Sequence, residues 1–265
     1  MAQFAQFRNA AAASTLAVLF FVSHASAQAP RAALRPGAEF DSNPAGPRPA
    51  LYSRAYVVDD RLAALRREPS TQSEVIHRLR LGRSAMIINT TKLKAGQHKF
   101  CRVAVTRRTR GWIHESALAV QGRAGEDQRI MMLIENASDG LDRIVLCRIL
   151  IERFSKSGLV PRALLLIGEE AERAAEKLSQ RARKRLAEVG GEKANADLSD
   201  YYLNDSGLDR YSKLHIVFNF NQSMAEYVYD GRAYRDVVKR FPDGEEARLA
   251  RRRLELVSQK LARRL

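Results

Sequence analysis

The 265-residue chain is expected to be an α+β protein: a small β-barrel over residues 52–121, then a helical domain over residues 125–265. Three observations predict this. Short apolar runs separated by Gly, Pro and Ser turns continue to Val120, the pattern of a small antiparallel barrel. From Gly125 the apolar period lengthens to that of helices. Just before that change stands Gly111-Trp112-Ile113, which holds the only tryptophan and restarts a strand after the basic turn Arg107-Arg108-Thr109-Arg110.

The N-terminus sets the compartment. Arg8 is its one charge, and Ala10 to Val22 is almost wholly apolar. Ala25-Ser26-Ala27 follows, a small-x-small cleavage pattern, so residues 1–27 are expected to be a secretory signal peptide cut after Ala27. The apolar core falls short of the roughly 20 residues that span a bilayer. No cysteine stands at the cut, so no lipoprotein is expected. The mature chain is thus expected to be periplasmic or secreted. Residues 28–51 carry Pro30, Pro36, Pro44, Pro47 and Pro49 among Ala and Gly and should form an extended or disordered linker.

Charge narrows the partners. Lys and Arg number 45 against 30 Asp and Glu, a net charge of +15 with a pI near 10.2. Such an excess attracts an anionic wall polymer, a membrane surface or nucleic acid. Export argues against nucleic acid.

The strands come in order. Ala55-Tyr56-Val57-Val58 opens the barrel, and Asp59-Asp60 turns. Leu62 to Leu65 leads into Glu68-Pro69-Ser70. Val75 to Leu79, Ala85 to Ile88 and Phe100 to Val105 alternate as strands, with a polar hairpin at Lys92, Lys94 and Gly96 before the last. Gly111-Trp112-Ile113 and Ala117-Leu118 close the set, with Leu118 and Val120 expected at the border with the helices. The order Ala64-Leu65-Arg66, Glu68-Pro69-Ser70, Val75-Ile76, Leu79, Leu81-Gly82, Ile87-Ile88, Phe100-Cys101-Arg102-Val103 and Gly111-Trp112-Ile113 resembles the bacterial Src-homology-3 (SH3b) domain. That resemblance covers about a quarter of the chain and implies a peptide- or wall-binding barrel. Ala64 stands where the family usually has asparagine.

The second half is helical. Glu126 and Asp127 suit a helix start, and Arg129 to Ile134 continues it. Ser138-Asp139-Gly140 breaks and caps. Leu141 to Phe154 recurs at helical spacing, and Ser155 to Gly158 turns. Val160 to Leu186 is a long amphipathic helix entered through Pro161, with the alternating charges Glu169 to Lys177 read as a solvated face. Gly190-Gly191 ends it in a loop. Asp200 to Tyr211 has no clear period. Ile216 to Phe220 and Glu226 to Tyr229 can pair as a β-hairpin. Helical period returns from Arg232 to Phe241 and again from Glu245. The last helix puts Ala247, Ala250, Leu254, Val257 and Leu261 on one stripe, with many arginines opposite. Leu150 to Ser157 and Val237 to Gly244 echo one another as helix, Arg-Phe, turn, helix. This resembles tetratricopeptide (TPR)-like repeats of envelope assembly proteins, with Ser155 in place of the usual proline and Gly244 in place of the serine.

Catalytic patterns are missing from the sequence. His24, His77, His98, His114 and His215 form no zinc-type spacing, and no nucleophile elbow or phosphate-binding glycine loop is present. No metal or cofactor is expected. Asp59-Asp60 and Asp139-x-x-Asp142 are accounted for by turn and cap roles. The expectation is therefore a non-enzymatic binding or scaffold protein of the cell envelope, its barrel contacting peptidoglycan or a partner peptide and its helices a protein. The alternative is a cell-wall hydrolase with an unrecognised site in Asp200 to Tyr229.

The candidate binding residues are Arg107, Arg108, Arg110, Trp112, Tyr56, Lys92 and Lys94, a basic cluster with aromatic neighbours; a solvated basic loop is the plain alternative. Arginines of the last helix could touch anionic lipid, or that helix could simply cover the core. Cys101 and Cys147 could pair in an oxidising compartment, or serve as buried small apolar residues.

Overall fold

The computed structural model describes residues 52–90, 99–189 and 206–262. The expected signal peptide, the linker, Lys92, Lys94 and the loop after Val189 lie outside the described residues. Seven strands come first: β1 (Arg54–Val57), β2 (Ala64–Arg66), β3 (Val75–Arg78), β4 (Ser84–Thr90), β5 (Phe100–Ala104), β6 (Arg110–His114) and β7 (Leu118–Val120). They form one antiparallel sheet in the order β3-β2-β6-β5-β4-β1-β7.

Alternation places the sheet core. Ala55 and Val57 of β1, Leu65, Ile87, Val103, Ile113, Leu118 and Val120 point to one side and are buried together. The expected barrel closure is not observed: among the described residues β3 and β7 are the edges of the sheet and do not pair with each other. The reason lies in what meets those edges. The Val58 N–H donates to Ala117 O and the Gln121 N–H to Arg54 O, so the carbonyls of Leu118 and Val120 face away from β1. Arg129 Nη2 donates to Leu118 O at 2.5 Å, and the Arg123 N–H donates to Val120 O at 3.2 Å. A helix side chain and a turn thus take the groups a further strand would need. At the other end, β3 is exposed throughout, and its register with β2 shifts between Leu65 and Arg66. Such an irregularity discourages further pairing.

Among the described residues, six α-helices follow or flank a second hairpin. They are α1 (Glu126–Asn136), α2 (Gly140–Arg153), α3 (Val160–Val189), α4 (Ser206–Ser212), α5 (Arg232–Arg240) and α6 (Glu245–Ala262). The hairpin joins β8 (Phe218–Asn221) to β9 (Glu226–Tyr229), with Phe218 opposite Tyr229. Asp139 caps α2 by accepting the N–H groups of Leu141 and Asp142, as its place before Gly140 indicates.

β1 and β7 have cores on both faces. Tyr56, Val58 and Ala119 point away from the sheet core and join the helical core with Ile130, Leu150, Leu165 and Tyr234. The border with the helices is therefore made by Ala119, not by Leu118 and Val120, which face the sheet core. The described residues thus form one compact unit. Farther along, α3 carries a third cluster, where Ala175, Leu178 and Ala182 pack on Phe220 and Tyr227 of the hairpin. The charged half of α3 is consequently not a free solvated face. Glu170 is buried within it, ion-paired to Arg143 and to Arg173.

The echoed segments share their backbone. Phe154 closes α2 with φ −124° and ψ 42°, and Phe241 closes α5 with φ −138° and ψ 57°. Each donates its N–H four residues back, and each is followed by a tight turn, with Ser157 N–H on Phe154 O and Gly244 N–H on Phe241 O.

Candidate ligand-binding face of the sheet

Gly111 explains the geometry around the single tryptophan. A Cβ at Gly111 would lie 2.7 Å from Arg66 O and 2.8 Å from Leu65 Cγ. Only glycine lets β2 approach β6 this closely. The approach sets Arg66 opposite Trp112 on one side, while Arg102 of β5 stands opposite on the other. The register extends this row across the sheet to Val75 on β3 and Asn89 on β4. Along β6, Gly111 and Ile113 are buried, so Arg110, Trp112 and His114 share the opposite face. Trp112 is half-buried and flanked by cations.

The basic turn is built by Thr106. Its hydroxyl oxygen accepts the N–H groups of Arg108 (3.2 Å) and Thr109 (2.9 Å). The N–H groups of Val105 and Thr106 close onto Thr109 O. This holds Arg107 and Arg108 in solvent beyond the strand ends. Arg102, Arg107, Arg108 and Arg110 are all exposed, and among the described residues none has a carboxylate partner. Arg66 is anchored instead, donating to Ser73 O at 2.6 Å.

The other candidates fall elsewhere. Lys99 is held by Glu115 at 3.0 Å, inside a chain of charges that runs through Arg123 to Glu126. His114 is structural: its Nδ1 accepts the Ser116 N–H at 3.2 Å, and its ring meets Phe100 edge-on at 5.6 Å. Tyr56 does not offer itself to a ligand. It is only 3% exposed, in the helical core, with the Arg153 guanidinium 4.8 Å from its ring centre. Its place in β1 put the helices over it. The two cysteines are not bridged; both are free and fully buried, Cys101 in the sheet core and Cys147 in the helical core. Burial pushes both thiols up to about 12. Among the described residues no group of His, Cys, Asp and Glu could hold a metal ion, and no helix is long and apolar enough to cross a membrane.

Sequence reasoning missed Arg66, Arg102 and Thr106. Alternation within β5 shows that Arg102 points away from the core. That it lies beside Trp112 depends on the pairing register, which no single strand reveals. Comparison with known protein families, curated proteins and solved structures finds no match to this chain.

Proposed function

We propose that this is a non-enzymatic binding or scaffold protein of the cell envelope whose exposed sheet face contacts peptidoglycan or an anionic partner peptide. The observation that carries the reading is a set of four exposed arginines without acid partners among the described residues: Arg102 and Arg110 on the face of the half-buried Trp112, and Arg107 and Arg108 on the turn beyond it. An indole offers a flat apolar platform, and guanidinium groups on either side hold carboxylates by paired hydrogen bonds. The order of short strands and the Gly-Trp pair support an SH3b-like module, opened at one edge by the helices. The twice-used helix, Arg-Phe, turn, helix unit supports a TPR-like partner-binding half. Export to the periplasm or beyond follows from the signal-peptide pattern at residues 1–27.

Co-sedimentation with purified peptidoglycan tests this. The wild-type chain should pellet with the wall material at low salt and release no soluble fragments. Replacing Arg107, Arg108 and Arg110 together with alanine should weaken binding about tenfold, since each exposed ionic contact contributes about 0.2–1 kcal/mol. Binding should also fall with added salt. Unchanged binding in the triple variant would remove the sheet face from the reading, and release of fragments would replace the binder with a hydrolase.

A further inference from the structure

The sheet carries a second row of side chains beside that of Trp112. Arg54 of β1 stands opposite Met86 of β4, Met86 opposite Ala104 of β5, and Ala104 opposite Arg110 of β6. Residues directly opposite one another in an antiparallel pair point to the same face. Ala55, Val57, Ile87 and Val103 fill the sheet core, so alternation puts this row on the other face, with Arg102 and Trp112. Its two ends are exposed and its middle is half-buried. The row therefore reads cation, apolar, apolar, cation. Neither arginine has an acid partner among the described residues.

Spacing decides what fits. Neighbouring strands lie about 4.8 Å apart, so three steps put the two arginine positions about 14 Å apart. Sharing one carboxylate would draw two guanidinium groups together over an apolar floor, against their mutual repulsion. An extended peptide rises about 3.4 Å per residue and turns alternate side chains to one face. Acids at positions i and i+4 then share a face about 14 Å apart, and residue i+2 points down midway between them. Midway on this row lie Met86 and Ala104, with Trp112 diagonal to Ala104 on the next row. An apolar side chain seated there loses water at no polar cost, whereas an acid would give up hydration against a thioether and a methyl group.

We propose that this face holds an extended acidic segment of a partner protein with the pattern acid-x-apolar-x-acid. The segment lies across the strands, its acids on Arg54 and Arg110 and its apolar side chain over Met86 and Ala104. The proposal rests on the anionic-peptide reading of the sheet face and adds Arg54, three strands away from Arg110. Two heptapeptides of equal composition and charge test it: N-acetyl-Gly-Glu-Gly-Leu-Gly-Glu-Gly-amide and its isomer N-acetyl-Gly-Leu-Gly-Glu-Glu-Gly-Gly-amide. Each is titrated into the isotopically labelled full chain and followed by amide chemical shifts. The first should give saturable shifts at Arg54, Met86, Ala104 and Arg110, with affinity on the order of millimolar. The isomer, whose acids point to opposite faces, should bind at least about fivefold more weakly. Arg54→Glu should weaken the first peptide about fivefold, and replacing one of its glutamates by lysine should restore affinity for that variant. Arg252→Glu, the same charge change on an exposed residue of α6, should leave binding within about twofold. Both arginines are exposed, and far-UV circular dichroism should show an unchanged fold. No saturable shift along the row, equal binding of the two isomers, no rescue by the lysine peptide, or an equal loss from Arg252→Glu would overturn the proposal. Peptidoglycan binding that still depends on Arg107, Arg108 and Arg110 would in that case leave the sheet-face reading standing.

Discussion

At Gly168 a helix interior carries the residue that helices tolerate poorly, at a cost of about 1 kcal/mol relative to alanine. Propensity alone therefore says that Gly168→Ala should stabilise. The packing says the reverse. A Cβ there would lie 2.3 Å from the Tyr234 ring of α5, and Tyr234 is fully buried, so the ring has nowhere to go. Gly168→Ala should destabilise the protein by roughly 1–3 kcal/mol in urea unfolding, the usual cost of overpacking. In a Tyr234→Ala background the same change should cost less, because the obstructing ring is gone. The cysteines lead to a second expectation. A thiol ordinarily titrates near 9, and burial raises both Cys101 and Cys147 to about 12. Below pH 9 folded and unfolded thiols are both protonated, and their contribution to stability is fully present. As pH climbs from about 9 to 12 only the unfolded thiols ionise, so stability falls. The urea midpoint should drop over that interval and drop less in Cys101→Ala/Cys147→Ala. Burial also raises Tyr229 and Tyr234, so some decline should persist in that variant.

Single elements are held by ion pairs at their ends. Glu126, 3% exposed, begins α1 and takes Arg123 at 3.2 Å and Arg129 at 2.8 Å. Arg129 in turn donates to Ser116 O and Leu118 O, so one carboxylate orients the side chain that blocks the free edge of β7. Glu126→Ala leaves two half-buried guanidinium groups without that charge. A loss of about 2–3 kcal/mol is expected, below the 3–5 kcal/mol typical of a fully buried pair because both arginines keep some solvent. Amide hydrogen exchange in Leu118–Val120 should accelerate more than in β5 or β6. Arg143 of α2 joins three elements: its Nε and Nη2 donate to Ile134 O and Ala137 O at the end of α1, and its Nη1 pairs with Glu170 of α3.

Across the whole molecule, sheet and helices share a core through Tyr56, Val58 and Ala119. Neither half can lose its packing without exposing apolar surface of the other. Thermal unfolding followed by Trp112 fluorescence, which reports the sheet, should coincide with unfolding followed by helical circular dichroism. Tyr56→Ala should lower both midpoints together, because Tyr56 lies on a sheet strand but packs among helices. Two separated transitions would mean that the two halves fold independently. The charge distribution belongs to this scale as well. Residues 52–121 hold 14 Lys and Arg against 5 Asp and Glu, over half of the net +15 of the chain. The sheet half should therefore dominate salt-dependent attraction to acidic surfaces.

By itself the sequence determined the kind and order of elements: short alternating strands up to Val120, helices from Glu126, the hairpin before α5 and the Asp139 cap. These follow from side-chain period and local turn chemistry, which act over a few residues. Ser206 to Tyr211 resisted because α4 is short, and a single turn or two leaves little period to read; Asp200 to Asp205 lie outside the described residues. Everything that depends on contacts between distant residues was settled only by tertiary structure. Tyr56 looked available and is buried, because a two-sided strand pattern does not say which neighbours cover each side. The sheet is open where closure was expected, because Arg129 takes the Leu118 carbonyl. Cys101 and Cys147 lie in separate cores. Trp112, conspicuous from the start as the lone tryptophan after a glycine, lies half-buried in β6 with arginines opposite it on both neighbouring strands. Its cross-strand neighbours, Arg66 and Arg102, came from strand register, a property of the pairing and not of either strand alone.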